Sequence, residues 1–396
     1  MNGTHRLISI HPFDPTGTKV GGIETHIRHV IKLAPPHIDL IFVGVDESNT
    51  LELGKLVSLK SSTGREYQFL PVMHTQPQEI NKVARNVFQS LTFNYFMALL
   101  KYRKILKSLY KEQKSTVEIQ RYEFSWICKL LGFDHVLLTH GDIPKGSNFD
   151  SLISKLWFIN KFNEKRAILS ANKVISVSSA QTERLKKDYP RKAQDINYMT
   201  VSVDDTLFKP TPYDCSDGVL KLAFAGRLDI FKRPEMMFDI VDILSKKLDG
   251  KVEFHYVGVS DTNQFPEYQK VKDKVILHGY KQSAEISQLW QQMHVGLVTS
   301  TFEGWPVYVM EAVCSGRPVV SLKLDQMADT FEDGQCGTML PINQDDAAND
   351  MADEILIVWE KIQKGAVTPE SVNAKISPFK ASKQMNRLFE MHLGLV

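Results

Sequence analysis

The chain has 396 residues, 43% of them hydrophobic and 24% charged. That is the composition of a globular protein too long for one ordinary core, and two domains are expected. No apolar run approaches the roughly 20 residues needed to cross a bilayer, and the short run at 7–10 lacks the length of a secretory leader. Cys128, Cys215, Cys314 and Cys336 are widely spaced with no CxxC pair, so neither a zinc site nor a disulfide framework is expected. Together these features point to a reduced, cytoplasmic protein. The net charge of +2 hides an asymmetry: residues 1–205 hold 28 Lys+Arg against 20 Asp+Glu, residues 206–396 hold 20 against 26. A basic half suggests an anionic partner; solvated surface charge is the other reading.

In chain order, residues 7–10, 38–44 and 66–72 read as short strands, as do 117–122, 135–140 and 173–178. Between the first two, residues 23–34 place Ile23, Ile27, Val30 and Ile31 on one helical face. Residues 80–114 contain no Gly or Pro. Phe88, Leu91, Tyr95, Leu99, Tyr102, Leu106 and Leu109 form an apolar stripe there, with Lys104, Lys107, Lys111 and Lys114 on another face. Two readings are open: a core-packed helix pair with a solvated basic face, or contact with an anionic membrane surface. Nucleic acid is not expected, because no binding module accompanies the charge.

Residues 204–218, rich in Asp, Pro and Gly, have linker chemistry. The alternation then restarts, with strands at 220–225, 251–258, 275–279, 295–300 and 318–322. Strands interleaved with helices imply parallel sheets covered on both faces. The expected fold class is α/β: two doubly wound, Rossmann-like domains, 1–205 and 206–376, facing a cleft, with a helix at 377–396 returning to the first. Ligands in such sheets bind beyond the carboxyl ends of the strands, which directs attention to the loops.

Three loops carry chemistry. Gly21 and Gly22 follow the first strand and precede a helix, where backbone amides approach an anion closely; plain turn chemistry is the other reading. Gly226 and Arg227 end a strand, with Lys232 five residues on. An arginine fork and a lysine point charge on one loop suit a diphosphate, or they are a basic surface loop. Glu303 precedes the turn Gly304-Trp305-Pro306, which leads through Val307 and Tyr308 into a helix carrying Glu311 two turns in. Amides at that helix start are able to bind sugar hydroxyls, and a carboxylate is a bidentate acceptor for a vicinal diol. Each glutamate taken alone also reads as a cap or surface residue.

With these residues in view, the sequence resembles glycosyltransferase family four, the retaining GT-B enzymes that use nucleotide-sugar donors. GGIETHIRHV, ANKVISVSS, VSVDDTLFKP, GRLDIFKRPE, STFEGWPVYVMEAVCSGRPVV and FEDGQCGTML match its motifs in order, the fifth in an EGWP variant of the paired-glutamate motif. The resemblance implies that Arg227 and Lys232 neutralise the donor diphosphate, helped by the Gly22 backbone. It implies that Glu303 contacts the transferred sugar and Glu311 the ribose. His140 matches a histidine facing sugar and acceptor, with a structural histidine as the other reading, and Tyr280 lies where the family contacts the base. The family's glycine-rich stretch appears here as DQMAD at 325–329, and Val307 replaces a common polar residue. Both departures bear on the donor sugar.

The activity implied is transfer of a hexose-type sugar from a UDP- or GDP-sugar to a glycan or lipid-linked acceptor in bacterial surface polysaccharide or lipopolysaccharide assembly. It would need no cofactor and no metal, because the cations are side chains. An inactive sugar-nucleotide-binding protein, a GT-B phosphorylase and a sugar-nucleotide epimerase are the competing readings.

Overall fold

The computed structural model describes residues 5–17, 22–61, 63–76, 90–140, 157–199, 202–301, 306–324, 337–342 and 346–394. The chain divides into two compact units, Met1–Val201 with Gln384–Val396, and Ser202–Lys383. The division falls four residues before the expected boundary at 205. Val203 bridges to Lys380, and Asp205 accepts from the Ser382 amide and hydroxyl at 3.0 and 2.7 Å, so this segment packs with the second unit.

The first unit is built on strands β1 (His5–Ile10), β2 (Ile38–Asp46), β3 (Val57–Lys60), β4 (Glu66–His74), β5 (Ser115–Ile119), β6 (His135–Thr139), β7 (Lys173–Ser176) and β8 (Ile196–Tyr198). Their order is β3-β4-β2-β1-β5-β6-β7-β8, parallel throughout except for β3 on β4. Side chains alternate across each strand, and here both faces are buried. Ile8, Ile10, Ile41, Val43, Leu137 and Val174 enter one core, while Leu7, Leu40, Phe42, Val136, Leu138 and Ile175 enter the other. Double burial explains why these strands read as continuous apolar runs.

Helices Leu91–Lys101, Arg103–Lys111, Ser125–Leu131 and Trp157–Ser170 cover the first core through Tyr95, Leu99, Leu106, Leu109, Ile127, Cys128, Ala167 and Ile168. Helix Gly22–Leu33 and the C-terminal helix Ala381–Leu393 cover the second, through Ile27, Val30, Ile31, Met385, Leu388 and Phe389. The apolar stripe in 80–114 therefore belongs to the core where it is described, and Phe88 lies outside the described residues. The two helices of the expected pair meet at Tyr102 (φ −93°, ψ 14°). There the ring lies against Gly54, at which a Cβ would sit 2.4 Å from Tyr102 Cε1. The strand expected at 117–122 is shifted to β5, and Tyr122–Phe124 form a 3-10 turn.

The second unit holds β9 (Leu220–Ala225), β10 (Val252–Val257), β11 (Val275–Gly279), β12 (Val295–Val298), β13 (Val319–Leu322) and β14 (Gly337–Leu340). They form one sheet ordered β11-β10-β9-β12-β13-β14, with every pair parallel. Strands β3, β8 and β14 were not expected from the sequence; each is three or four residues long, too short to display a period.

Both sheets have a point where strand order reverses, between β1 and β5 in the first and between β9 and β12 in the second. Crevices beyond the carboxyl ends of strands at such points are where doubly wound sheets bind ligands. The loop after β1 leads to Gly21 and Gly22, and the loops after β9 and β12 carry Gly226-Arg227 and Thr299–Glu303.

Candidate functional site

In the second unit, β9 ends at Ala225 and the chain turns at Gly226, whose φ of 149° favours glycine. The Gly226 amide donates to Val257 O at 2.9 Å. A Cβ on Gly226 would lie 3.2 Å from Lys232 Nζ, so the ammonium sits directly over the bare backbone. That ammonium also lies 5.4 Å from the Phe224 ring centroid and 5.9 Å from that of Phe231, within cation–π range. The Arg227 side chain is 78% exposed, and its Nη2 is 3.3 Å from Asp229 Oδ2.

The loop then makes the 3-10 turn Ile230–Lys232 and passes through Arg233 in the left-handed region (φ 49°, ψ 58°) before helix Pro234–Lys247. A non-glycine residue held there stores strain that its surroundings must enforce. The enforcing contacts come from the end of β12. Thr299 Oγ1 donates to Lys232 O at 2.6 Å. The Thr301 amide donates to Phe231 O at 2.8 Å, and its hydroxyl to the same oxygen at 3.2 Å. The cationic loop is thus laced to the strand end that leads into Glu303.

Glu303, Gly304 and Trp305 lie outside the described residues, as do Gly21 and 325–329. Gly22 is the first residue of helix Gly22–Leu33. Pro306 caps helix Val307–Cys314 without a side-chain hydrogen bond. Val307 is half-buried. Tyr308 is buried edge-on against Phe224, ring centroids 5.1 Å apart, which clamps the helix to the strand before Gly226.

Glu311, one turn beyond Tyr308, is half-buried, and burial pushes its carboxyl up from 4.5 to about 7. Tyr280, directly after β11, is 61% exposed.

Sequence reasoning missed two supports of this loop. A Cβ on Gly258 would lie 2.4 Å from Gly226 O, so only glycine admits the Gly226 turn. Ser260 Oγ accepts from the Leu228 amide at 2.9 Å. The glycine after strand β10 was the available signal.

In the first unit, the loop after β1 is folded by Asp14. Its Oδ1 accepts from the Thr16 amide and hydroxyl at 2.8 and 2.7 Å, and its Oδ2 from the Glu47 amide at 2.9 Å. His140 directly follows β6. Its Nε2 lies 2.5 Å from Gln120 Oε1, and burial pushes its pKa down to about 3, the nearby His26 adding to the shift. The imidazole is therefore neutral at physiological pH.

The family described as "Glycosyl transferases group 1" matches residues 220–361, which span the cationic loop, Glu303 and Glu311. The matched residues all lie within the second unit. The whole chain has the GT-B fold. The chain is 25% identical over 201 residues to the poly(ribitol-phosphate) α-N-acetylglucosaminyltransferase of Staphylococcus aureus strain COL, a match covering 50% of this chain and 39% of that protein. Other curated relatives are likewise matched over about half of their length or less. Among solved structures, Anabaena HepE in complex with UDP and glucose superposes with a TM-score of 0.66 at 16% identity, covering 99% of this chain and 100% of that one. The apo lipopolysaccharide outer core galactosyltransferase WaaB superposes with a TM-score of 0.61 at 17% identity, over 99% and 100%.

Proposed function

We propose that the protein is a retaining, metal-independent glycosyltransferase that moves a hexose-type sugar from a nucleoside-diphosphate sugar, UDP- or GDP-linked, to a glycan or lipid-linked acceptor. The observation that carries this reading is the Lys232 ammonium seated over Gly226, on a loop tied by Thr299 and Thr301 to the strand end before Glu303. Such a loop at a strand-order reversal suits a diphosphate. The group 1 glycosyl transferase match and the UDP and glucose of the HepE structure support the donor class.

In this mechanism the bond between the sugar's anomeric carbon and the phosphate oxygen breaks. Arg227 and Lys232 oppose the charge that grows on the diphosphate, a preorganised electrostatic effect. The acceptor hydroxyl attacks from the same face, and its proton passes to the departing phosphate oxygen. Glu303 holds the transferred sugar and Glu311 the ribose diol. The cations are side chains, so the scheme calls for no metal. The nucleotide base stacks near Tyr280.

Glu311 makes donor binding pH-dependent. The ionised carboxylate accepts one hydroxyl hydrogen on each oxygen, whereas protonation turns one of those oxygens into a donor. The donor KM is therefore expected to rise several-fold as pH falls from 8 to 6, and Glu311→Gln should flatten that rise while raising KM at pH 8. The fold gives a second readout. The unfolded carboxyl ionises near 4.5 and the folded one near 7, so its burial costs stability increasingly as pH rises between those values. Glu311→Gln should melt higher than the native chain at pH 8 and equally at pH 4. Equal melting at both would contradict the assigned burial.

Bacterial surface-glycan assembly is the setting we infer, from the poly(ribitol-phosphate) and lipopolysaccharide substrates in the relatives' names. A peripheral position on the inner membrane face fits the first unit. Lys101, Arg103, Lys104, Lys107, Lys111 and Lys114 are exposed, and Trp126, Leu130 and Phe162 are exposed on helices of the same layer. Among the described residues no helix is long and apolar enough to cross a membrane. Sedimentation with anionic vesicles is expected and should be lost in Lys104→Glu/Lys107→Glu. Equal sedimentation with neutral vesicles would remove the electrostatic contact.

The deciding experiment is nucleotide release from UDP-, GDP- and ADP-sugars by the native chain and Glu303→Ala. Release from one donor, lost in the variant, identifies base and sugar. Nucleotide binding without release would assign an inactive binder, and sugar phosphate formed with inorganic phosphate a phosphorylase.

A further inference from the structure

Strand β5 (Ser115–Ile119) includes Thr116-Val117-Glu118-Ile119, and Gln120 follows it directly. Val117 and Ile119 enter the core beneath helices Leu91–Lys101 and Ser125–Leu131, so Thr116, Glu118 and Gln120 project to the opposite face, all three buried. On that face they meet histidines from three elements. Thr116 Oγ1 lies 2.9 Å from His5 Nε2 and 3.0 Å from His392 Nδ1. Glu118 is fully buried, with His26 Nε2 and His392 Nε2 each 3.5 Å from its oxygens. It also accepts from Ser9 Oγ at 3.4 Å and from Gln120 Nε2 at 2.8 Å. Burial alone would raise the Glu118 carboxyl, but the His26 and His392 contacts overcome it and hold it well below the usual carboxylate range.

Protons and lone pairs in this chain of contacts are constrained from the inside outward. An ionised carboxylate only accepts, so the Gln120 amide must turn its NH2 group to Glu118 and its oxygen to His140. That oxygen also only accepts, and it lies 2.5 Å from His140 Nε2. A neutral imidazole has a single N–H, and here it must be on Nε2, leaving a lone pair on Nδ1. The opposite amide orientation would set two oxygens 2.8 Å apart.

We propose that Glu118 and Gln120 are positioning residues that lock His140 in its Nε2–H tautomer, making Nδ1 a hydrogen-bond acceptor for a hydroxyl of the sugar substrate. The part that concerns substrate rests on the glycosyltransferase reading; the tautomer lock does not. A histidine held this way accepts a proton-bearing hydroxyl and turns away an anionic oxygen, which separates its role from that of Arg227 and Lys232. Glu118 reaches no substrate: it acts through Gln120.

The test is 15N-resolved imidazole NMR of the full chain at pH 7, with the His140 signal identified by its loss in His140→Gln. The Nε2–H tautomer is expected in the native chain. Glu118→Gln frees the Gln120 amide to rotate, and Gln120→Leu removes it. Each should give a tautomer mixture and lower kcat with the preferred donor in proportion to the fraction lost from the Nε2–H form, about two-fold for an even mixture. A native spectrum showing Nδ1–H or imidazolium overturns the proposal. So does an unchanged tautomer in both variants, or an unchanged kcat alongside a scrambled tautomer. If Glu118→Gln fails to fold, the native spectrum and Gln120→Leu decide. A native chain with the expected tautomer but no turnover on any donor would count against the glycosyltransferase reading and leave the lock standing.

Discussion

Replacing Lys232 with alanine is expected to lower nucleotide release from the preferred donor by about 10²–10³-fold, the usual loss when one preorganised charge-stabilising donor is removed. The fold should survive, because the contact that anchors this residue is its backbone carbonyl, which accepts from Thr299 Oγ1 whatever the side chain. Arg227→Ala should lose a similar factor with no change in melting, since its side chain is largely exposed. Arg227→Lys should recover only part of the rate, because an ammonium cannot present the guanidinium's planar fork to a diphosphate. The loss should fall on kcat more than on donor KM, as the charge is greatest in the transition state. Steady-state nucleotide release with purified variants checks this. Either alanine variant retaining near-native kcat would remove the diphosphate role from that residue.

Arg317→Met is expected to destabilise the second unit by about 3–5 kcal/mol, the largest stability effect we anticipate. Arg317 is fully buried just past helix Val307–Cys314, and among the described residues its acceptors are carbonyl and hydroxyl oxygens, not carboxylates. Its Nε donates to Trp290 O at 2.9 Å, and Nη1 to Thr211 O and Ser315 O at 2.7 and 3.1 Å. Nη2 donates to Thr211 Oγ1 and Gln291 O at 2.9 and 2.7 Å. The guanidinium also stacks on Tyr213, 4.8 Å from the ring centroid. Burial lowers its pKa to about 10, so it stays charged at neutral pH.

Methionine fills much of the volume but removes the donors to Thr211 O, Ser315 O and Gln291 O and one of the two donors to Trp290 O, which keeps the Met293 amide; a carbonyl left buried without a donor costs about 1–3 kcal/mol before relaxation. Calorimetry should show the unit melting about 6–20 °C lower. Arg317→Lys should rescue little, because three donors on one nitrogen cannot serve acceptors spread around a fork. Native melting in Arg317→Met would show that water replaces these contacts freely.

The difference between Lys232 and Arg317 shows what kind of information a sequence holds. Both are basic residues within motif-like stretches, GRLDIFKRPE and CSGRPVV. Lys232 is legible because its setting is local: a strand end, a glycine and an arginine within seven residues. Arg317 is not, because its partners Thr211 and Trp290 are 106 and 27 residues away, and nothing nearby says whether a cation faces solvent or carbonyl oxygens. The same holds for Glu118. Polar residues alternating with Val117 and Ile119 were visible in the sequence, and alternation normally means one face in water. The face is instead covered by Gly22–Leu33 and the C-terminal helix, so the stripe is a buried network.

Segment 80–114 marks the opposite limit. Its apolar stripe was legible, but periodicity alone could not decide between core and membrane. The structure places Tyr95, Leu99, Leu106 and Leu109 of that stripe in the core.

By itself, then, the sequence determined the alternation of strands and helices, the two α/β units, and the glycine, arginine, lysine and glutamate residues at the strand ends. Those features depend on neighbours within a turn or a strand, where side-chain period and backbone freedom act directly. Only the tertiary structure decided which polar residues are buried, which way the Gln120 amide must face, and why Glu311 is hard to ionise. Those properties depend on groups as far apart as Thr116 and His392, 276 positions in the chain, and burial and hydrogen bonding exist only once folding has brought such groups together.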